Sequence, residues 1–280
     1  MTLIPAIKKD EALVTEMDAL LHDEQLHLWW LGQSGFLIQW KGSRALVDPY
    51  LSDSLTKKYA DTNKPHVRMS ERVIDPALLK NIMVVSSSHN HTDHLDAETL
   101  LPILNNNPGI KFIIPEANRA FVAERLQCDP GLPVGLNDDS SATVGPFTFH
   151  GIPAKHNEID RDEKGNCKYM GYVIEAGPHV IYHSGDTLWF EGMEEQIKRF
   201  NPDIALLPIN GNDPARKVAG NLDIKEAAKL AKDLGVKWVI PCHYDMFLFN
   251  TADVNEFVRE AEQLNQPYRV LQGGEKISIN

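Results

Sequence analysis

Leu13, Met17, Leu20 and Leu21 recur at helical spacing, and this predicts an amphipathic helix over residues 7–24. From residue 26 the pattern changes. The runs LHLWWLG, FLIQW and RALVDPY are short and apolar, and QSG and KGS separate them. Gly-containing turns between such runs predict a β-meander. The third run ends in Asp48-Pro49, so an acidic residue stands at a strand terminus. Residues 51–75 are polar and irregular, with Lys57, Lys58, Lys64, His66 and Arg68. Long connections without their own pattern are often functional. A lid or substrate loop and a solvated excursion are equally good readings of this segment.

Beyond residue 76 the periods alternate. PALLKN reads as helical, IMVVSSS as a buried strand, DAETLLPILNN as a helix, KFIIP as a strand and EANRAFVAERLQ as a helix. Strands are expected at 143–151, at 169–176 and in HVIYHSGD, followed by the helix EGMEEQIKRF. PDIALLPI and KWVIPCH read as strands, IKEAAKLAKDLG and VNEFVREAEQL as helices, and YRVLQ and KISIN close the chain. A β-rich beginning followed by βα units predicts sheets covered by helices. There is no internal repeat and no low-complexity stretch.

Composition narrows the function classes. The 280 residues suffice for one large domain or two small ones and for a sizeable core. Lys and Arg number 28 against 39 Asp and Glu, a formal charge of −11. So acidic a chain disfavours nonspecific nucleic-acid binding, which requires neutralised phosphates. An anionic substrate stays compatible with it, because a bound dication reverses the local field. Cys128, Cys167 and Cys242 are far apart and form no CxxC pair, so neither a zinc ribbon nor a disulfide framework is implied. A reducing, cytoplasmic compartment is expected. The start of the chain has no signal-peptide pattern, and no run approaches the length of a membrane span.

The strongest chemical signal is SSSHNHTDHLD, which follows the apolar run IMVV and precedes a helix. His89, His91, Asp93 and His94 bring three imidazoles and a carboxylate into six residues. Such ligands suit zinc, manganese or iron. A short loop after a strand turns alternate side chains toward two points, so His89 and His91 can serve one metal while Asp93 and His94 serve another.

This run resembles the HxHxDH signature of the metallo-β-lactamase superfamily. Single residues at later strand ends extend the likeness: His156 in FHGIPAKHNE, Asp186 in IYHSGDT and His243 in VIPCHYDMF, with Asp48 in LVDPY closing an early strand. The resemblance covers about Leu26 to Ile279. It implies a four-layer αββα sandwich, in one domain over residues 1–280 with 1–25 as an N-terminal packing helix. It also implies that His89, His91 and His156 hold a first divalent metal, that Asp93, His94 and His243 hold a second, and that Asp186 bridges them. Zinc or manganese is expected, with iron also compatible. The implied activity is hydrolysis of an ester, lactone or phosphodiester by a metal-bridging hydroxide. His91, Asp93 and Asp186 would be central to catalysis, with Asp93 able to return a proton to the leaving group. Asp48 is expected to accept an N–H from a ligand histidine and fix its tautomer. WWLGQSGF, YHSGDT, PINGND and IPCHYDMFLFN resemble the L-ascorbate-6-phosphate lactonase-like branch, which points to a sugar-phosphate lactone. A phosphodiesterase acting on small phosphodiesters and a di-iron redox protein are the alternatives. His91 stands where the latter usually carries a carboxylate, which favours the hydrolase.

Other residues are candidates for the substrate. Asn210 and Asn212 fall in a strand-end loop, although Asn-Gly also forms turns readily. Arg216 and Lys217 are a basic pair suited to phosphate or carboxylate, or solvated loop charges. Tyr244 and Asp245 follow His243 and would position substrate or pack the strand end. His183 lies at an odd offset from Asp186, and that favours a structural role. Cys242 and His150 read as structural, Trp29, Trp30, Phe247 and Phe249 as core or apolar walls, and His66 as surface or core. The expected partner is a small anionic molecule, with no nucleic acid and no membrane; a homo-oligomer is compatible.

Overall fold

The computed structural model describes residues 2–216, 218 and 220–280. In chain order its elements are α1 Asp10–Ala19, β1 Leu26–Gly32, β2 Gly35–Trp40, β3 Ser43–Val47, α2 Ser54–Lys58, β4 Ile82–Ser86 and α3 Ala97–Asn106. Next come β5 Lys111–Pro115, α4 Arg119–Leu126, β6 Pro133–Leu136, β7 Ser141–Val144, β8 Phe147–Pro153, β9 Met170–Ala176 and β10 His179–His183. α5 Met193–Lys198, β11 Ile204–Pro208, α6 Ile224–Leu234, β12 Trp238–Cys242, α7 Val254–Gln263 and β13 Lys276–Ile279 complete the order. No helix among the described residues is long and apolar enough to cross a membrane.

The strands form two mixed sheets. The first runs β13-β1-β2-β3-β4-β5-β6, antiparallel as far as β3 and parallel beyond it. The second runs β12-β11-β10-β9-β8-β7, parallel from β12 to β10 and antiparallel after that. Successive strand residues point to opposite faces, and here both faces are covered. Leu28, Trp30, Phe36 and Ile38 join Phe149, Tyr172, Ile174 and Leu206 of the second sheet in one core. Their neighbours Trp29, Leu31 and Leu37 point the other way, into a core shared with Leu13 and Met17 of α1, Leu100 and Ile103 of α3 and Val122 of α4. On the far face of the second sheet, Ala227, Leu230 and Ala231 of α6 and Phe257 of α7 close the fourth layer. This explains why β1 and β2 are buried along their whole length, with no polar face toward solvent.

Several helix ends are fixed locally. Asp223 accepts the Glu226 amide at 2.9 Å while Glu226 accepts the Asp223 amide at 3.0 Å, a reciprocal cap that opens α6. Gly235, with φ +71, ends it.

Some expectations change. The N-terminal helix covers Asp10–Ala19 rather than 7–24, because Lys9 is extended and Leu20 leaves helical geometry. PALLKN forms only a 3-10 turn at Pro76–Leu78, since Leu79 is already extended and Asn81 has φ +59. The strand expected at 143–151 is a hairpin, β7 and β8, turning at Gly145 with φ +57. β6 at Pro133–Leu136 carried no alternation strong enough to read. YRVLQ contributes one isolated bridge, Tyr268 to Val239.

The double burial has a measurable consequence. Leu37→Ala and Ile38→Ala, adjacent residues facing opposite cores, are each expected to cost about 2–5 kcal/mol. Met83, exposed on β4, should lose well under 1 kcal/mol on the same change. Urea titration of the metal-free protein checks this, and a null effect at either Leu37 or Ile38 would contradict burial of both faces.

Candidate metal centre

The chemistry gathers where strands end. Asp48 follows β3, the His89–His94 run follows β4, His156 follows β8, Asp186 follows β10 and His243 follows β12. Their donor atoms form three groups, each within 4.8 Å: His89, His94 and Asp186; His91, His156 and Asp186; and Asp93, His94 and His243. Asp186 belongs to two of the three. The second set expected from the sequence is present as it stands. The first is divided: His91 and His156 meet at Asp186, and His89 falls beside His94. The seven donors thus form one continuous cluster, with His91 exposed, Asp93 half-buried and the other five buried.

Asp48 anchors this cluster from below. It is fully buried and has φ +43, a conformation costly for a residue with a Cβ. Its carboxylate accepts the Ser88 amide at 2.7 Å, the Ser88 hydroxyl at 2.5 Å and Nδ1–H of His94 at 2.6 Å. His94 is therefore held with Nε2 facing Asp186, 3.3 Å from Oδ1. Ser88 Oγ also lies 3.0 Å from His89 Nδ1, which leaves Nε2 of His89 directed inward. Nε2 of His89, Nε2 of His94 and Oδ1 of Asp186 are buried and have no hydrogen-bond partner. Buried polar atoms are rarely left so. Three orphaned donors within one group fit a divalent ion, and imidazole with carboxylate is a donor set for zinc, manganese or iron.

Glycine makes room for two of these residues. In the SGDT segment Gly185 has φ +59, and a Cβ there would lie 2.6 Å from the Met170 carbonyl and 2.8 Å from Ser88 Cβ. At Gly220, with φ +86, a Cβ would lie 2.0 Å from Nδ1 of His156. A side chain at Gly185 would press on Ser88, which bonds Asp48 and His89, and one at Gly220 would displace His156 itself.

Electrostatics divide the histidines. Burial lowers His89 well below its ordinary range, lowers His91, and brings His156 down to about 4. Burial also opposes the charged form of His94 and His243, but the nearby carboxylates outweigh it. Asp186, Asp93 and Asp48 hold His94 well above the usual value, and Asp186 and Asp93 raise His243 to about 9. Asp93 and Asp186 are depressed in turn, because His94 and His243 overcome the desolvation that would raise them. Without metal the cluster balances its charge internally.

The cluster floors a cleft of about 330 Å³. Residues 51–75 form one wall of it through Leu55, Lys58, Tyr59, Lys64 and His66, so the loop reading of this segment prevails over the solvated one. His66 stacks on Tyr59 at 4.3 Å and meets Phe247 and Phe249 edge-on at 5.1 and 4.6 Å, which ties the loop to the segment after β12. Phe247 and Phe249 line the cleft as the apolar walls expected of them. A more open groove of about 700 Å³ lies beside the N-termini of α6 and α7, but no histidine lines it.

Comparison with known proteins agrees with this geometry. Residues 43–244 match the family model described as a Beta-lactamase superfamily domain. A UPF0173 metal-dependent hydrolase of Myxococcus xanthus is 30% identical over 255 residues, covering 87% of this chain and 78% of the relative. The chain belongs to the metallo-β-lactamase superfamily. Within it, the chain is a member of the UPF0173 metal-dependent hydrolase family. Another member, from Caldivirga maquilingensis, is 27% identical over 250 residues, covering 87% of this chain and 93% of the relative. Among solved structures, an isothiocyanate hydrolase from Delia radicum gut bacteria superposes with a TM-score of 0.71 at 18% identity, covering 90% and 98% of the two chains. That likeness shows the shared fold.

Not every superfamily-type candidate reaches the cleft. Tyr244 turns away: its hydroxyl donates to the Leu271 carbonyl at 2.5 Å and its ring stacks on Trp30 at 4.6 Å, so it packs the strand end. Asp245 lines a separate cleft beside Tyr244. Asn212 is exposed on the wide groove. Asn210 is buried one layer behind the metal cleft, where it bonds Asn221 and Asn250, which do line it. Lys217 and the Arg216 side chain lie outside the described residues. His183 is structural, as its offset suggested. Its Nε2–H donates to the Ser34 carbonyl at 2.9 Å and its Nδ1 accepts the Gly185 amide at 3.2 Å. Cys242 is buried near Ser34, and His150 bonds Glu175 at 3.2 Å. Trp29 and Trp30 are core residues.

Sequence reasoning missed four contributors. Gln33 was read as part of a turn. With φ +50, its Nε2–H donates to Asp93 at 2.8 Å, and the same amide lies 3.1 Å from His243 Nε2. Tyr169 stacks on His156 at 5.1 Å. Arg125 of α4 donates to the carbonyls of Asn90 at 2.7 Å and Leu95 at 3.0 Å, clamping the histidine loop. His66 was left without a role. For Gln33 a signal existed, its place within LGQSGF; the others become visible only when distant segments meet.

Two outcomes follow for metal binding. Asp48→Asn should weaken metal affinity by about 10–100-fold, as loss of such an outer partner typically does; competition with a chromogenic chelator measures it, and unchanged affinity would remove Asp48 from this role. In addition, the carboxylates beside His94 and His243 raise both in the metal-free cluster, so the protons they favour have to be displaced by a bound ion. Zinc binding at pH 7 should therefore release protons, read by calorimetry in buffers of differing ionisation enthalpy. The release should shrink as the pH rises through about 9, where His243 is already neutral.

Proposed function

We propose that the chain hydrolyses an ester, lactone or phosphodiester of a small anionic molecule at a two-metal centre. The observation that carries the reading is the meeting of five histidines and two aspartates in one cluster, of which His91, Asp93, His156, Asp186 and His243 line the cleft. His89, His91 and His156 would hold one ion and Asp93, His94 and His243 the other, with Asp186 shared between them. When bound, such ions bring the pKa of water toward neutrality and polarise a carbonyl or phosphoryl oxygen.

The chain's own residues do the rest. Asp48 keeps His94 in one tautomer through its 2.6 Å contact. Gln33 fixes the Asp93 carboxylate through its 2.8 Å hydrogen bond to Oδ2. Asp93 lines the cleft and is kept ionised by the histidines beside it, so it is placed to accept a proton from the attacking water and hand it on to the leaving group. Lys58, Lys64 and Arg125 ring the cleft of a strongly acidic chain, and they favour a substrate carrying phosphate or carboxylate. Phe247 and Phe249 exclude water from one side. The sequence resemblance to the L-ascorbate-6-phosphate lactonase-like branch makes a sugar-phosphate lactone the first substrate to examine.

The test is a hydrolysis screen of phosphorylated sugar lactones, phosphodiesters and thioesters on protein reconstituted with zinc or manganese. His91→Ala and Asp186→Asn should each abolish turnover while circular dichroism shows the fold retained. Normal turnover and full metal content in His91→Ala would sink the proposal.

A further inference from the structure

Asn221 is almost wholly buried, yet it lines the metal cleft. Its Nδ2–H donates to Oδ1 of Asn210 at 2.9 Å. Asn210 in turn donates through Nδ2 to Oδ1 of Asn250 at 2.8 Å. This relay ties the loop after β11 to the segment after β12 and sets the orientation of the Asn221 amide. The Oδ1 atom of Asn221 has no hydrogen-bond partner. A second acceptor in the same cleft, Oδ1 of Asn90, is also buried and unpartnered. Gly220, immediately before Asn221, packs against the His156 ring, so the amide is delivered beside a cluster histidine.

A buried carbonyl oxygen left without a donor is destabilising. Two such acceptors, on residues that line one cleft, each lack a hydrogen donor. We infer that Asn221, supported by Asn90, is a specificity-determining residue that accepts a hydrogen bond from a hydroxyl or amine of the substrate next to its scissile group. The inference rests on the proposed function only in placing the substrate in this cleft. A site that bonds a substrate donor discriminates against analogues lacking it, because the acceptor is then left unpaired.

The test uses manganese-loaded full-length protein and two matched pairs of probes. D-gluconate and 2-deoxy-D-gluconate are compared by calorimetric binding, and glucono-δ-lactone and 2-deoxyglucono-δ-lactone by hydrolysis. Wild-type protein should bind gluconate about tenfold more tightly, the scale of one well-placed hydrogen bond with its desolvation. Asn221→Leu should lose that preference, and Asn90→Ala should reduce it. Asn90→Ala also serves if Asn221→Leu fails to fold, since no side-chain bond of Asn90 supports the relay. Absence of a gluconate preference in wild type, or a preference untouched in both Asn221→Leu and Asn90→Ala, overturns the inference. Gluconate selectivity without hydrolysis of either lactone would support the inference while counting against the hydrolytic reading; hydrolysis of both lactones without selectivity would do the reverse.

Discussion

Everything at the site depends on one buried carboxylate. Asp48 sits in an unfavourable left-handed conformation at the end of β3, and it accepts three hydrogen bonds there, two from Ser88 and one from His94. A buried ionised carboxylate without such partners is very costly. Once satisfied, it fixes the loop after β4 and the tautomer of a histidine at the centre of the cluster. The other donors are then arranged around His94: Asp186 at 3.3 Å and Asp93 at 3.7 Å. Moving Asp48 would therefore move the reference point for both carboxylates.

The sheets explain why so many polar groups can be gathered in one place. Both sheets are buried on both faces, so their strands have no solvated side on which to carry chemistry. Polar function is displaced to the strand ends. β3, β4 and β5 run parallel in one sheet and β10, β11 and β12 in the other, so several chain exits face the same edge. Backbone strain collects there too. Gln33, Asp48 and His243 all have positive φ, and all three touch the cluster. Such conformations persist where surrounding structure over-determines them. The amide of His243 donating to the Gln33 carbonyl at 3.0 Å joins two of these strained points directly.

The cleft above the cluster is assembled differently. Its floor comes from short loops at strand ends, whereas its walls come from longer connections, in which the short helix α2 and the end of α4 are the regular parts. His66 packs among Tyr59, Phe247 and Phe249, and this aromatic contact holds residues 51–75 against the segment after β12. Lys64 lies over the Phe249 ring at 4.9 Å and Lys58 over Tyr59 at 5.2 Å, so the cations at the rim stand on aromatic faces. A rigid reactive floor under an adaptable wall lets one fold accept different molecules.

How much of this was legible beforehand follows from the range of the interactions involved. Local patterns were readable: the apolar runs of β1, β2, β4 and β11, the capped helix α6, and the dense HxHxDH run, whose residues are neighbours in the chain. His156, Asp186, His243 and Asp48 were readable one at a time, because each stands in a short recognisable context at a strand end. Weak local signals misled, as in PALLKN, where helical spacing was overridden by the extended Leu79 and the left-handed Asn81. The roles of Arg125, Tyr169 and His66 had no local mark, since each arises from contacts between segments far apart in sequence. Tyr244 and Asn210 had the right neighbours in the chain but point elsewhere, a matter of side-chain direction at a strand end that sequence order does not encode. The chain by itself determined which donors exist and near which strands. The tertiary structure decided which of them meet, because convergence depends on how two sheets pack and where their loops emerge.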